Sequence, residues 1–401
     1  MDDVLDSANM ADAWGRVQRN KGAPGPDTRT IEETGHFLKA SWLELKEALR
    51  TGTYQPGPVR TVHIPKGKGK YRMLGIPNVV DRLIQQAIHQ VLSPHYEKDF
   101  SPSSYGFRPG RNAWQAIEQA HDYVKQGHNI VVDIDLEKFF DQVNHDILMA
   151  RLAKRIPDKR LLGLIRRYLQ SGMMMGGLVS QREKGTPQGS PLSPLLSNIL
   201  LDDLDKELDA RGHRFCRYAD DCQVYVKSRR AGRRVKESTT AFLETRLKLP
   251  VNRSKSRVVA ASRSSFLGYG FLGMANPRIR CSTETIKRFK RRVKQLTRGH
   301  DRESIEVKLA RLDKYLRGWT SYFRLAETRR LFADLDSWIR SRLRMCLMKQ
   351  WFKPRTRVRK MIQLGLPVEE AKGYGQHKRW WFLAQLHRTR FAMNNRWWHA
   401  R

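Results

Sequence analysis

Cysteine is scarce in this chain, with Cys216, Cys222, Cys281 and Cys346 the only four among 401 residues. No two of them fall at the short spacing of a zinc knuckle and no His stands at ligand spacing, so neither structural zinc nor a disulfide framework organises the fold. Free thiols of this kind fit a reducing cytoplasm. Long apolar runs are missing as well: nothing approaches the roughly 18 consecutive apolar residues of a membrane span. The opening MDDVLDSANM is acidic and carries no signal-type apolar stretch, so no membrane partner is expected. Negative charge is the third scarcity. Against 40 Asp and Glu stand 76 Lys and Arg, a formal net charge of +36. Such an excess repels itself in a compact state and is kept for a polyanion, nucleic acid ahead of an acidic membrane surface.

What is present reads as an α+β chain, long enough for two or three domains and free of internal repeats. Leu83, Ile84, Ala87, Ile88, Val91 and Leu92 share one helical face, which predicts a helix over 78–97 with Asn78 as its cap. Asn112 is placed to cap another, running to about residue 126. The β-branched run 129–135 (NIVVDID) predicts a buried strand that ends in carboxylates. Further helices are expected at 144–155, 158–171 and 231–248, and after the Gly/Pro loop GTPQGSPLS (185–193). The segment HRFCRYADDCQVYVKS predicts a hairpin with Ala219, Asp220 and Asp221 at its turn. Beyond about residue 280 the pattern is helical and the basic density rises.

Transfer of a nucleotidyl group to a hydroxyl calls for convergent carboxylates that hold two divalent ions ~3.5–4 Å apart. Asp135 at one strand end and Asp220 with Asp221 at the hairpin turn supply them if the two strands are neighbours in one sheet. Their hard oxygens favour Mg²⁺. An Asp-Asp pair at a turn is by itself ordinary turn chemistry, so the weight lies in what accompanies it. The chain carries, in order, GAPGPD (22–27), IPKGKGKYRMLGIPNVVDRLIQQAI (64–88), SSYGFRPGRNAWQAI (103–117), DIDLEKFFDQVNHDIL (133–148), GTPQGSPLSPLLSNILLDDLD (185–205), YADD (218–221), NRSKSRVV (252–259) and FLGYGF (266–271).

This ordered set resembles the group II intron reverse transcriptases and maturases, non-long-terminal-repeat enzymes, over nearly the whole chain. The resemblance implies a right-hand polymerase fold: an N-terminal extension over 1–30, fingers and an antiparallel palm over 31–275, a helical thumb over 276–350 and a small basic C-terminal module over 351–401. It implies Asp135, Asp220 and Asp221 as catalytic metal ligands for two Mg²⁺, with Mn²⁺ as a substitute. Lys66 and Arg72 match the finger residues that grip the incoming triphosphate, Phe140 the bulky residue beneath the sugar, Gln188 and Gly189 the loop against the nucleotide, and Lys255 the lysine near its phosphates. Core packing beside Phe139 is the other account of Phe140. Gly268 and Gly270 match the primer-grip turn. Arg108, Arg111 and Asn112 either face the template or form a solvated basic face.

In the helical third, Tyr315, Leu316, Trp319, Tyr322 and Phe323 recur at helical spacing and read as core. Trp380, Trp381, Trp397 and Trp398, interleaved with basic residues, suit either stacking on RNA bases or burial. No cysteine follows Cys346, so no zinc-bearing endonuclease module is expected. The implied activity is RNA-directed DNA synthesis by two-metal phosphoryl transfer, with an RNA template, a DNA or RNA primer, deoxynucleoside triphosphates and group II intron RNA as partners, in a bacterial cytoplasm at the nucleoid. Two other roles stay open: a maturase with polymerisation secondary, and a domesticated enzyme that fills and joins broken DNA.

Overall fold

Buried β-branched residues and leucine-rich helices decide the architecture. The computed structural model describes residues 1–67, 69–175, 178–180, 183–273, 276–298, 303–351, 353–377 and 379–394. The chain divides into two units, Met1–Ser264 and Ser265–Arg401. In the first, α1 (Ser7–Asn20) and α2 (Ile31–Thr51) precede β1 (Val59–Gly67), β2 (Lys70–Ile76), α3 (Val79–Glu97) and α4 (Ala113–Lys125). Then β3 (Ile130–Ile134) leads through α5 (Phe139–Gln142), α6 (His145–Ala153) and α7 (Lys159–Gln170) to β4 (Met173–Met175) and β5 (Leu178–Ser180). The long α8 (Ser193–Ala210) is followed by β6 (Arg214–Tyr218), β7 (Asp221–Val226), α9 (Arg229–Arg246) and β8 (Arg257–Ala260).

Among the described residues the strands of the first unit make two sheets. One has the order β6-β7-β3-β8 and is antiparallel throughout; the other has the order β2-β1-β4-β5, with β1 and β4 parallel. β3 is apolar on both faces because both are covered: Val131, Val132 and Ile134 are buried. Gly232 sets how closely α9 lies on this sheet, since a Cβ there would come within 2.6 Å of Val258 and 3.4 Å of Ile130. Leu195, Leu196, Leu200 and Leu204 of α8 share a core with Val132, Phe215 and Val224.

Helix starts follow the caps. Asn112 forms a capping box with Gln115, and Asn144 accepts from Ile147 N. Asn78 stands before α3 as expected but does not cap it. Its Oδ1 accepts from Asp27 N at 3.2 Å, and Gly25 and Gly57 have no Cβ where one would collide with it, so the side chain serves the GAPGPD loop instead.

The second unit pairs β9 (Tyr269–Leu272) with β10 (Arg278–Cys281) and continues in α10 (Thr283–Leu296), α11 (Ile305–Tyr322), α12 (Arg329–Gln350), α13 (Pro354–Gln363), α14 (Val368–Gln376), α15 (Trp380–Leu383) and α16 (His387–Ala392). Phe289, Val293, Leu312, Ile339 and Leu343 are core, with Tyr315, Leu316 and Trp319 packed against them. The Trp319 ring centres 4.4 Å from Phe289, so the helical aromatic spacing is a packing face. The FLGYGF turn packs with these helices: Gly268 O accepts from Ser282 N at 2.9 Å and Thr285 Oγ1 at 2.8 Å. Buried Arg344 donates to Ala384 O and Met393 O, fastening the C-terminal segment to α12. Trp380 lies under the Arg357 guanidinium, whereas Trp381, Phe382 and Phe391 are exposed. Trp397 and Trp398 lie outside the described residues. Among the described residues no helix is long and apolar enough to cross a membrane.

Asp81 in α3 is buried and accepts from Tyr54 Oη at 2.8 Å and Gly57 N at 3.2 Å. Burial outweighs those bonds and pushes its carboxyl up to about 6. With the folded value above the unfolded one of about 3.9, the folded state holds a proton that the unfolded chain has released. The linked stability is therefore complete below the unfolded value and is lost as pH rises through about 6. Between about pH 4 and 6 the urea midpoint of the wild type should fall relative to that of Asp81→Asn. Parallel curves would show that Asp81 does not titrate there.

Candidate active site

The hairpin turn is the tightest feature of the β6-β7-β3-β8 sheet. β6 ends at Tyr218 and β7 begins at its partner Asp221, so Ala219 and Asp220 alone make the reversal. Ala219 has φ +58°, a left-handed conformation that costs a residue with a Cβ roughly 1–2 kcal/mol. The conformation is held from below. Arg217, fully buried, donates through Nη1 to Ala219 O at 2.9 Å and to Asn198 Oδ1 at 3.0 Å, and through Nη2 to Ser104 Oγ at 2.8 Å. Its Nε and Nη2 grip the equally buried Asp205 carboxylate at 2.7 and 2.5 Å. The 103–106 segment closes over the turn: Arg217 N donates to Ser103 O and Tyr105 N to Arg217 O. A Cβ on Gly106 would stand 2.3 Å from Ala219 N.

Asp135 reaches the same place from β3. β3 ends with Ile134 opposite Cys222, so Asp135, the next residue, follows at the end of the sheet where Asp221 begins β7. Asn252 N donates to Asp135 O at 2.8 Å, and Asp135 N to Ser256 Oγ at 3.0 Å. Lys255 Nζ lies 3.3 Å from both oxygens of the Asp135 carboxylate. Asp133, two residues back on the same strand face, is engaged by Arg257 at 3.5 Å. Burial raises its pKa against the pull of Gln223 and Arg257. Among the described residues no three acidic, His or Cys side chains stand together closely enough to hold an ion as they are, and the Lys255 ammonium occupies one side of Asp135.

The remaining candidates divide. Lys66 is on β1, but its side chain lies outside the described residues, as does Lys68. Arg72 is exposed on β2, across from Ile64. Gln188 O accepts from Gly75 N at 2.8 Å, and Gly189, at φ +109°, has no room for a Cβ, which would meet Gly75 O at 2.8 Å. The close approach that Gly189 makes is thus to β2, the strand carrying Arg72. Phe140 is half-buried, edge-on to Phe139, with its carbonyl accepting from Thr186 N at 2.6 Å. Gly268 has φ +87°, and Thr285 and Phe323 fill the space beside it.

Arg108 is buried, bound to Glu97 at 2.6 Å and to the carbonyls of Ser101 and Ser104. Arg111 donates to Pro102 O, and Asn112 caps α4. These three hold the 101–112 loop, and that loop holds Arg217. No periodicity or turn pattern in the sequence singles out Arg217, Asp205, Asn198 or Ser104. The available signal was a cation inside the β-rich run RFCRY and an acid among the leucines of α8.

Gly189→Ala should lower stability by about 1–3 kcal/mol, because it joins strained φ to a clash with Gly75 O. Urea denaturation reads this, and an unchanged midpoint would mean that the loop can leave the strand.

Residues 64–271, more than half of the chain, match the family described as reverse transcriptase (RNA-dependent DNA polymerase), and residues 286–364 match the group II intron maturase-specific domain. The chain is similar to Protein YkfC of Escherichia coli (strain K12), 35% identical over 304 residues, 66% of this chain and 79% of that one. It is also similar to group II intron-encoded protein LtrA of Lactococcus lactis subsp. cremoris, 35% identical over 200 residues, 48% of this chain and 32% of LtrA.

Proposed function

The chain belongs to the reverse transcriptase family, in its group II intron branch, and on that premise we propose that it extends a DNA or RNA primer along an RNA template with deoxynucleoside triphosphates. The observation that carries the reading is the placement of Asp135, the residue after β3, and Asp221, the first residue of the adjacent antiparallel β7, at the same end of one sheet, with Asp220 in the turn between β6 and β7. These are hard oxygen donors with no thiolate or imidazole among them, which fits Mg²⁺, with Mn²⁺ as a substitute. Asp135, Asp220 and Asp221 would hold the ions, which when bound lower the pKa of the attacking hydroxyl and offset charge on the phosphates.

The chain's own residues do the positioning. Exposed Arg72 offers a guanidinium to the triphosphate from the finger strand, and Lys255 brings positive charge to the strand end that carries Asp135. Half-buried Phe140, beside the 185–189 loop, is the steric floor that a 2′-OH would strike. The maturase-specific domain, with α10 carrying Lys287, Arg288, Lys290, Arg291, Arg292 and Lys294, binds duplex and intron RNA through phosphates and assists splicing of that intron. Exposed Trp381 and Phe382 are available for stacking on unpaired bases.

Asp135→Asn or Asp220→Asn should reduce extension of a primed RNA by about 10²-fold or more and leave primer-template affinity nearly intact, since affinity rests on phosphate contacts. Near-normal extension by either variant would sink the assignment. Phe140→Ala should raise the ratio of ribonucleotide to deoxynucleotide incorporation efficiency. An unchanged ratio would return Phe140 to a packing role alone.

A further inference from the structure

A guanidinium has five N–H donors, and Arg217 makes five hydrogen bonds: two to Asp205 and one each to Asn198 Oδ1, Ser104 Oγ and Ala219 O. Four of them anchor the group to α8 and to the 103–106 segment, and only the fifth touches the turn. Stability alone is a poor account of such a residue, because a buried ion pair can often be replaced by apolar side chains without loss. Direction is the better account. Ala219 sits in a left-handed conformation that its Cβ disfavours, and its carbonyl is the acceptor that a fixed guanidinium can hold at one angle. The next two residues are Asp220 and Asp221.

We propose that Arg217 is a positioning residue for nucleotidyl transfer: anchored by Asp205, Asn198 and Ser104, it locks the Ala219–Asp220 turn in the one conformation that presents Asp220 and Asp221 to a divalent ion. The proposal rests on the reading of those aspartates as metal ligands. Lysine keeps the charge opposite Asp205 but has three donors on a flexible stem, so it cannot hold Asp205, Ser104, Asn198 and Ala219 together.

The test uses the full chain and Mn²⁺ alone as probe, with bound ion counted by electron paramagnetic resonance beside single-nucleotide extension on a short primed RNA. Arg217→Lys should bind Mn²⁺ about 10–100-fold more weakly and lose kcat by a similar factor. Its KM for the nucleotide and its affinity for primer-template should stay close to wild type, a split that a merely loosened fold would not give. Wild-type Mn²⁺ affinity and kcat in a folded Arg217→Lys, with Asp220→Asn inactive, overturn the proposal alone. A wild type that binds Mn²⁺ no better than Asp220→Asn removes both the metal-ligand reading and the proposal. If Arg217→Lys does not fold, Ser104→Ala carries the test. Removing one anchor oxygen should weaken Mn²⁺ binding and kcat together with KM unmoved, and equality with wild type overturns the proposal.

Discussion

A single buried ion pair, Arg217 with Asp205, organises the hairpin end of the sheet, next to Asp220 and Asp221. Arg217 and Asp205 are both fully buried, and stripping two charges of water is tolerable only when every remaining donor and acceptor finds a partner. That requirement spreads outward. Arg217 needs Asn198 and Ser104, and Ser104 belongs to a loop whose own arginine, Arg108, needs Glu97 at the end of α3. Asn198 donates in turn to Gly106 O, which lies against the turn. Removing one partner of such a pair typically costs about 3–5 kcal/mol, so α3, α8, the 101–112 loop and the hairpin behave as one polar unit inside an apolar core.

The same economy explains where the acidic residues go in so basic a chain. Glu97, Asp203 and Asp205 are each held by an arginine within the first unit. Over the whole chain 76 lysines and arginines stand against 40 acids. In α10 the two needs separate by face: Phe289 and Val293 enter the core while lysines and arginines crowd the positions between them. A surface of that kind grips phosphates without regard to sequence.

Glycine marks the places where backbone meets backbone. Gly189 against Gly75 joins the 185–189 loop to β2, and Gly106 against Ala219 joins the 103–106 segment to the hairpin. Both contacts bring residues of different motifs together, and in each the missing Cβ is what permits the approach.

The order of motifs, the helices over 78–97, 112–126, 144–155, 158–171 and 231–248, the strand at 129–135, the hairpin around Asp220 and the aromatic core of 315–323 are legible in the sequence, because each rests on local periodicity, turn chemistry or a family pattern; α1, α2, β1, β2, β4 and β5 are known only from the structure. The roles of Arg108, Asn78 and Gly268 are not legible in the sequence either. In sequence Arg108 is a basic residue beside other basic residues, Asn78 is a cap and Gly268 is a turn; in the fold they are respectively a buried staple, an anchor for a distant loop, and a left-handed residue packed against Phe323. Nothing in the local pattern singles out Arg217. Sequence by itself determined many of the elements and the family pattern they carry. Tertiary structure alone decided which polar groups are buried, because burial and the partner that makes it bearable are set by neighbours in space, up to 113 positions away for Ser104 and Arg217.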